Sequence, residues 1–314
     1  MKIKTPLNRY KFLLPLLVIF LVFAAVIPVM AAPAKIIQKS YASPEEALQN
    51  LIKAARSNDT KELAAILGPS SKEIISSGDP VADKNGREHF VALYDEKVVI
   101  EGAETGKAVF SIGNEDYPFP IPLVKKGKTW RFDTRAGKEE LLNRRIGRNE
   151  LAVIDIMRTY VDAQREYYAT DWDGDNSMEF AQKIGSTPGK KDGLYWAAKE
   201  GEKLSPLGPL AAKAASEGYT KRKENTALHG YYFKILKAQG KDAEGGAFDY
   251  IVNGKMILGY AMVAWPAQYG SSGIMSFIVN QNGIVYQKNM GKESSKVAAS
   301  MKLFNPDTSW KKVE

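Results

Sequence analysis

The feature that most constrains this chain is a long stretch, residues 138–179, with the periodicity of a single helix. Apolar or aromatic side chains recur there at steps of three, four or their sum, and no proline interrupts the stretch. This spacing predicts a helix of about 30 residues with one stripe of side chains facing inward. The stripe consists of Leu142, Ile146, Val153, Met157, Tyr160, Val161 and Tyr168.

The predicted helix runs into an acidic loop. Asp171, Asp173 and Asp175 stand at alternate positions, and Glu179 follows them. An irregular loop with this spacing can turn several carboxylate oxygens onto one point, which is what a calcium ion requires. The sequence therefore predicts a structural Ca²⁺ site with these four residues as ligands. The alternative is a solvated acidic turn whose aspartates cap a helix over residues 177–184.

The order DxDxDNxxE in this loop resembles calcium loops of the EF-hand type, with two departures. Asn176 stands at the position of the invariant glycine, and Gln182 stands where a bidentate glutamate is expected. Asparagine tolerates a positive φ better than most residues do. We therefore expect a modest calcium affinity, about 10⁻⁴ to 10⁻³ M, as in extracellular modules.

The amino-terminal residues have the order of a secretory signal. A basic start precedes a nearly continuous apolar run over residues 12–30, and small residues follow. We predict a signal peptide over residues 1–31, with cleavage after Ala31. The alternative is an uncleaved anchor helix, because about 20 apolar residues span a bilayer. After cleavage we expect no membrane span and a periplasmic or secreted protein.

Net charge and cysteine content exclude several classes of function. The signal segment holds four cations and no acid, so cleavage lowers the formal net charge from +8 to +4. That charge gives no support for a nucleic-acid partner, which usually shows as a basic stripe. The chain has no cysteine. Disulfides, thiolate metal ligands and a cysteine nucleophile are therefore excluded.

The order of predicted elements indicates an α+β fold in two domains. Four helices and then short strands predict an amino-terminal domain over residues 35–136, whose proline-rich segment 117–123 we place at a sheet edge. The first helix is predicted to begin at Ser43 and Pro44, and the fourth to cover residues 86–96.

The long helix and four later strands predict a second domain over residues 137–314. The strands are predicted over residues 230–236, 255–265, 273–280 and 284–288. Asn282 and Gly283 between two of those strands predict a type I′ hairpin turn.

Several stretches resemble an uncharacterised bacterial family, domain of unknown function 2950. They read WRFDTRAGKEELLNRRIGRNEL, SPEEALQNLIKAARSNDTKELAAILG, TPGKKDGLYW and WPAQYGSSGIMSFIVNQNGIVYQKNMG. The resemblance covers nearly all of the chain after the signal. It implies a secreted or periplasmic protein of Gram-negative bacteria and implies no activity.

Two weaker resemblances concern the fold. The pattern MRTYVDAQREYY is similar to the long helix of type IV pilins and pseudopilins, which packs on a carboxy-terminal antiparallel sheet. The amino-terminal assembly helix of pilins and its processing site are missing here. The first domain resembles the nuclear-transport-factor-like (NTF2-like) or cystatin-like build of helices against a sheet, by element order only.

Three further groups of residues are candidates for function. His89 and His229 lie in unrelated segments without a nucleophile at a telling spacing. Three arginines on the long helix predict either ordinary helix ion pairs, or a contact between the domains or with an anionic partner. A second patch combines charges with large aromatics, and predicts either a contact surface or a tryptophan that caps the core. The arginines are Arg144, Arg145 and Arg148, and the patch is Lys190, Lys191, Tyr195 and Trp196.

No nucleophile, base or cofactor motif assembles from these residues. We therefore expect a non-enzymatic protein that acts through binding or through envelope assembly, with an envelope protein or polymer as partner. One alternative is an envelope hydrolase that uses paired carboxylates, either Glu150 with Asp155 or the loop acids. Another alternative is a pseudopilin-like subunit.

Overall fold

A computed structural model of the protein describes residues 37–199, 201–219 and 226–313. The predicted signal peptide, residues 1–31, lies outside the described residues. Within the described part of the chain, no helix combines the length and the apolar character that a membrane crossing requires. The described residues form antiparallel sheets packed with helices, which confirms the α+β class.

Helices make up the start of the described chain, and side-chain caps set where they begin. The Ser43 Oγ accepts a hydrogen bond from the Glu46 backbone N–H at 3.1 Å, at the helix start that the sequence predicts. The Asp59 carboxylate caps the second helix in the same way. The four helices are α1 (Pro44–Arg56), α2 (Thr60–Leu67), α3 (Lys72–Ile75) and α4 (Pro80–Glu96).

Helix α4 is longer than the sequence predicts. The turn-rich composition before Gly86 indicated a helix over residues 86–96, but the helix begins at Pro80. The Asp79 carboxylate accepts hydrogen bonds from the backbone N–H groups of Val81 and Ala82, both at 3.1 Å. This cap and a proline in the first turn outweigh the unfavourable helix propensity of Gly86.

A four-stranded antiparallel sheet follows. The predicted edge position of the proline-rich segment 117–123 is wrong, because this segment belongs to the third strand, β3 (Tyr117–Lys126). Strand β3 lies inside the sheet, so it is not an edge strand. Strand β4, however, pairs only with the last residues of β3, from Leu123 onward. The proline-rich half of β3 therefore has no strand on that side to which it would donate hydrogen bonds. The strands are β1 (Val98–Glu101), β2 (Lys107–Ile112), β3 (Tyr117–Lys126) and β4 (Thr129–Phe132), with a 3₁₀ turn at Ala103–Thr105.

The long helix α5 (Thr134–Tyr168) spans 35 residues and contributes to two separate hydrophobic cores. Leu141, near its start, packs against the first core, which lies between α1, α4 and the four-stranded sheet. Val153 and Tyr160, farther along, are fully buried in the second core. A continuous helix therefore connects the two halves of the fold. The predicted inward stripe is confirmed as buried from Ile146 to Val161, but the prediction is wrong for Tyr168, which is 39% exposed.

The second half is built on a five-stranded antiparallel sheet in the order β14-β12-β11-β10-β5. The strand predicted over residues 255–265 is divided into two strands that belong to different sheets. A three-stranded sheet, β13-β6-β7, and the hairpin β8-β9 accompany it. The elements are α6 (Gly208–Ser216), β5 (Tyr231–Leu236), β6 (Ala238–Gln239), β7 (Phe248–Asp249), β8 (Ile251–Val252), β9 (Lys255–Met256), β10 (Ala261–Pro266), β11 (Ser276–Asn280), β12 (Tyr286–Lys288), a 3₁₀ turn at Gly291–Glu293, α7 (Ser294–Ser300), β13 (Leu303–Phe304) and β14 (Lys311–Lys312).

The predicted hairpin between β11 and β12 is present, but its turn type is different. A type I′ turn needs positive φ at both Asn282 and Gly283. Gly283 has φ of 75°, whereas Asn282 does not have a positive φ. The Gly283 N–H donates to the Asn280 carbonyl at 2.9 Å, and β11 residue Ile278 pairs with Tyr286. This is the geometry of a three-residue loop that ends in a left-handed glycine, so the type I′ prediction is wrong.

A glycine allows α5 to approach the proline half of β3. A Cβ atom at Gly137 would lie 2.3 Å from the Pro120 carbonyl oxygen, which is far inside contact distance. Gly147, on the same helix, has open space around the corresponding position. The packing of α5 on the first sheet therefore requires a residue without a side chain at position 137.

We expect opposite effects when each of these two glycines is replaced by alanine. Gly137→Ala should lower the free energy of unfolding by roughly 1–3 kcal/mol, because the helix must move off the strand. Gly147→Ala should raise it by up to about 1 kcal/mol, through helix propensity alone. Urea unfolding at an unchanged slope measures both values. Equal midpoints for the two variants would show that the helix does not approach β3 this closely.

Candidate functional site

A cavity of about 1080 Å³ lies against the first core, between α4, the four-stranded sheet and α5. Its walls are mostly apolar, and its charged residues come from α4, from the turn between β2 and β3, from α5 and from the segment before β5. Residues from across the whole fold therefore meet at one place. The apolar wall includes Leu51, Ala55, Leu63, Leu67, Ile75, Phe90, Leu93, Ile112, Phe119 and Leu141, and the charged or polar rim includes Arg87, His89, Arg144, Arg145, Arg148, Asn149, Glu217, Tyr219 and His229.

Two rim arginines bind the carboxyl end of the short helix α3. Arg145 donates from Nη1 to the Glu73 carbonyl at 2.6 Å and from Nη2 to the Ile74 carbonyl. Arg87 donates to the Ile75 carbonyl at 3.0 Å. The last carbonyl groups of a helix lack partners within the helix and carry partial negative charge, so guanidinium groups satisfy them well.

Arg145 also reaches the second half of the fold. Its Nη1 lies 3.4 Å from the Ser271 Oγ, and Ser271 itself donates to the Glu73 carbonyl at 3.1 Å. The prediction of a contact between the two halves is therefore confirmed for Arg145. Arg144 confirms the other prediction, because it forms an ordinary helix ion pair with Glu140 at 2.6 Å.

The positive charges at this end of the cavity lie close together. Burial lowers the pKa of Arg145, the nearby Asp83 carboxylate raises it, and the guanidinium groups of Arg148 and Arg87 lower it further. Both Asp83 oxygens accept a hydrogen bond from the Ser77 N–H, at 2.9 and 3.2 Å. Arg145 is therefore flanked by two other guanidinium groups, and the Asp83 carboxylate that opposes its charge is already hydrogen-bonded.

Arg148 differs from the other rim arginines in its contacts. Among the described residues it has no hydrogen-bond or ion-pair partner, although it lines the cavity. Arg144, in contrast, also lies over the Tyr117 ring, 4.7 Å from its centroid. The donors of Arg148 are therefore free toward the cavity mouth.

A second hydrogen-bonded group closes the rim where the second half meets α4. The buried Asp79 carboxylate accepts from the Tyr219 hydroxyl at 2.8 Å and from the Gly230 N–H at 2.9 Å. Burial raises the pKa of the Tyr219 hydroxyl, and the charge of Asp79 raises it further. His229 Nε2 lies 3.3 Å from a Glu217 oxygen. No signal in the sequence indicated this group, because Asp79 lies far along the chain from Tyr219 and Gly230.

The acidic loop brings its three aspartates together. Oxygens of Asp171, Asp173 and Asp175 all lie within 4.8 Å of one another, so the triad can hold a metal ion. The Asp171 carboxylate also accepts from the N–H groups of Gly174 and Asn176, both at 2.8 Å. Asn176 has φ of 66°, which is the left-handed conformation that this loop position needs.

Two other charged residues belong to the surroundings of the triad. The Lys255 ammonium contacts Asp175 and lies 3.8 Å from Asp173, so it partly neutralises the loop. Burial raises the pKa of Glu179, and the charges of Asp173 and Asp171 raise it further. Glu179 therefore lies within the electrostatic field of the aspartates but is not one of the three clustered residues.

The helix predicted over residues 177–184 is absent, so that prediction is wrong. The backbone there is irregular, and Phe180 forms a bridge with Met256, donating its N–H to the Met256 carbonyl at 2.7 Å. The Phe180 ring packs against Tyr260 of the second core, 4.7 Å between centroids. Tertiary pairing and aromatic burial outweigh the local helix propensity at this position.

The aromatic patch is divided between core and surface. Trp196 is buried in the second core and its ring lies 4.8 Å from that of Trp172. The Lys191 ammonium lies over both rings, at 5.3 and 5.6 Å. Lys190 and Tyr195 are exposed. Trp196 thus closes the core, as one of the two predictions states, and a contact role for the exposed residues stays a prediction.

Glu150 and Asp155, the carboxylate pair of the hydrolase alternative, lie in different surroundings. Glu150 accepts hydrogen bonds from the backbone N–H groups of Ile274 and Met275, both at 2.9 Å. Asp155 is on the solvent side of α5, with 78% of its side chain exposed. The structure therefore gives Glu150 a structural role in holding α5 against the second sheet.

Fold and site together define an α+β protein with two cores, a large cavity against the first core and an acidic loop beside the second. The chain belongs to the family described as a protein of unknown function, DUF2950, whose model matches residues 38–313. Comparisons with curated proteins and with solved structures found no match. The resemblances to pilins and to the NTF2-like or cystatin-like build stay predictions.

Proposed function

We propose that this is a secreted or periplasmic, non-enzymatic binding protein whose cavity takes a small molecule with a large apolar part. The cavity of about 1080 Å³ carries this proposal. Binding pockets for small molecules typically measure roughly 300–1,000 Å³ and are lined mainly by apolar side chains with a few polar groups. The cavity is therefore slightly larger than the upper end of that range.

Packing supports the same function. Protein interiors are normally filled as densely as organic crystals, and a space of this size forgoes dispersion contacts along its walls. Apolar walls such as Leu51, Phe90 and Ile112 regain those contacts when an apolar molecule enters. The polar groups at the rim are mostly held by hydrogen bonds, so the rim is already formed before a ligand binds.

The proposed location depends on the signal over residues 1–31. We expect mass spectrometry of the protein from its native cell envelope to give a mature amino terminus at Ala32. An intact Met1 in the membrane fraction would establish the anchor alternative instead. The experiment does not depend on the cavity, so the two parts of the proposal are tested separately.

Blocking the cavity should abolish binding of a neutral apolar dye. Gly86 lines the cavity on the exposed face of α4, and a side chain there meets no atom within 4 Å at its Cβ. Gly86→Trp should therefore fill the mouth without lowering the melting temperature. We expect N-phenyl-1-naphthylamine to bind the wild type with increased fluorescence and to bind Gly86→Trp at least about tenfold more weakly.

The matched control is Gly147→Trp, on α5. Gly147 is also an exposed helical glycine with open space around it, but it does not line the cavity. Its substitution should leave dye affinity unchanged. Equal dye binding by both variants, or no dye binding by the wild type, would contradict the proposed function.

We propose separately that the aspartate triad binds Ca²⁺ with modest affinity. The clustering of three carboxylates within 4.8 Å and the left-handed Asn176 support it. Asp171, Asp173 and Asp175 would supply oxygens, and Glu179 would complete the set from its nearby position. Calcium would compete with the Lys255 ammonium, because both neutralise Asp175 and Asp173.

Thermal melts with calcium or chelator test the metal site. At about 100 times the dissociation constant, calcium should add about 2.7 kcal/mol of stability, with a much smaller effect of magnesium. Asp173→Asn should remove most of the calcium effect. Lys255→Gln should enlarge the effect at low calcium, because the competing ammonium is gone. A wild-type melting temperature that does not change with calcium would rule out the site.

A further inference from the structure

We infer that the molecule bound in the cavity is a single-chain amphiphile with an anionic head group, such as a long-chain carboxylate, and that Arg148 binds the head. This inference rests on the proposed binding function and specifies its ligand. It combines three observations: an apolar interior, a group of three arginines at one end, and one guanidinium of that group with free donors.

Three guanidinium groups come together at the α3 end of the cavity, and the acids near them are already engaged. Arg145 lies within electrostatic reach of Arg87 and Arg148; Asp83 opposes the charges of Arg145 and Arg87, and Glu88 also opposes that of Arg87. The rim acid Glu217 is paired with His229 at 3.3 Å. The hydrogen bonds of Arg87 and Arg145 go to neutral carbonyl groups, which satisfy donors but leave the net charge in place. An anion placed here meets a positive potential.

The opposite end of the cavity has the reverse charge. Glu96 and Glu115 line it, and Glu96 lies nine residues after Arg87 on α4, or about 13 Å along the helix axis. An anionic head is therefore attracted to the arginine end and repelled from the other end. The apolar wall between the two ends leaves room for a chain, so the charges give the ligand one orientation.

Arg148 is the arginine that is available to contact the head. Arg145 and Arg87 are held by the carbonyl groups of α3, and Arg144 is held by Glu140. A guanidinium group binds a carboxylate or a phosphate through two parallel N–H···O bonds, and such charge-assisted bonds are stronger than neutral ones. A wholly apolar ligand would leave these donors unused.

The test compares head groups on one chain length. Displacement of N-phenyl-1-naphthylamine from the full-length mature protein is measured with dodecanoate, dodecyl phosphate, dodecanol and dodecyltrimethylammonium. We expect the two anions to bind at least about tenfold more tightly than the alcohol, and the cation to bind most weakly. The order of the two anions tells a carboxylate source from a phosphate source.

Two arginine variants locate the head group. Arg148→Gln should reduce the preference for dodecanoate over dodecanol about tenfold while leaving dodecanol affinity unchanged. Arg158→Gln is the matched control, because Arg158 is an exposed arginine of the same helix, paired with Asp155 at 3.8 Å and outside the cavity. Both side chains are exposed, so neither variant should alter the melting temperature.

The outcomes separate this inference from the function on which it rests. Equal displacement by dodecanoate and dodecanol would overturn head-group recognition while the dye result still supports an apolar binding cavity. A preference for anions that survives in Arg148→Gln would overturn the assignment to Arg148. Failure of the dye and of all four amphiphiles to bind would overturn both the inference and the proposed function.

Discussion

The rest of the structure depends on the packing of one helix against two different cores. α5 meets the first sheet closely because Gly137 lets its backbone approach Pro120, and it meets the second sheet through a buried stripe that includes Val153 and Tyr160. Glu150 fixes the helix to the second half through two backbone N–H groups. Because a helix is continuous, the positions of these contacts along it set where the two halves stand, and Arg145 and Arg148 lie between them.

That placement explains how a cavity and its charged rim arise together. The carboxyl end of α3 presents carbonyl groups that need donors, and Arg145 supplies them from α5 while Arg87 supplies them from α4. Satisfying these carbonyls concentrates positive charge beside an apolar interior. The positions of Arg145 and Arg87 thus have a structural explanation in the carbonyl groups of α3. Arg148 lines the cavity without a hydrogen-bond or ion-pair partner among the described residues.

Local signals in the sequence were sufficient for much of the fold. Ser43 and Pro44 set the start of α1, and the absence of proline allowed the long helix to be predicted. Signals that depend on distant residues were not readable in this way. The helix expected after the acidic loop does not form, because Phe180 pairs instead with Met256, which lies far along the chain. The cavity joins residues from Leu51 to His229, so no single stretch indicated it. The cluster of Asp171, Asp173 and Asp175 could be predicted from the sequence because all three residues lie in one short loop.

The shared helix also has a consequence for cooperativity. Separate cores in one chain can unfold independently when only a flexible linker joins them. Here the same hydrogen-bonded helix supplies buried residues to both cores, so melting either core exposes apolar side chains of a helix on which the other core still packs. Part of the folding free energy of each half is therefore present only while the other half is folded. A ligand that stabilised the first core from within the cavity would also stabilise the five-stranded sheet, which does not line the cavity.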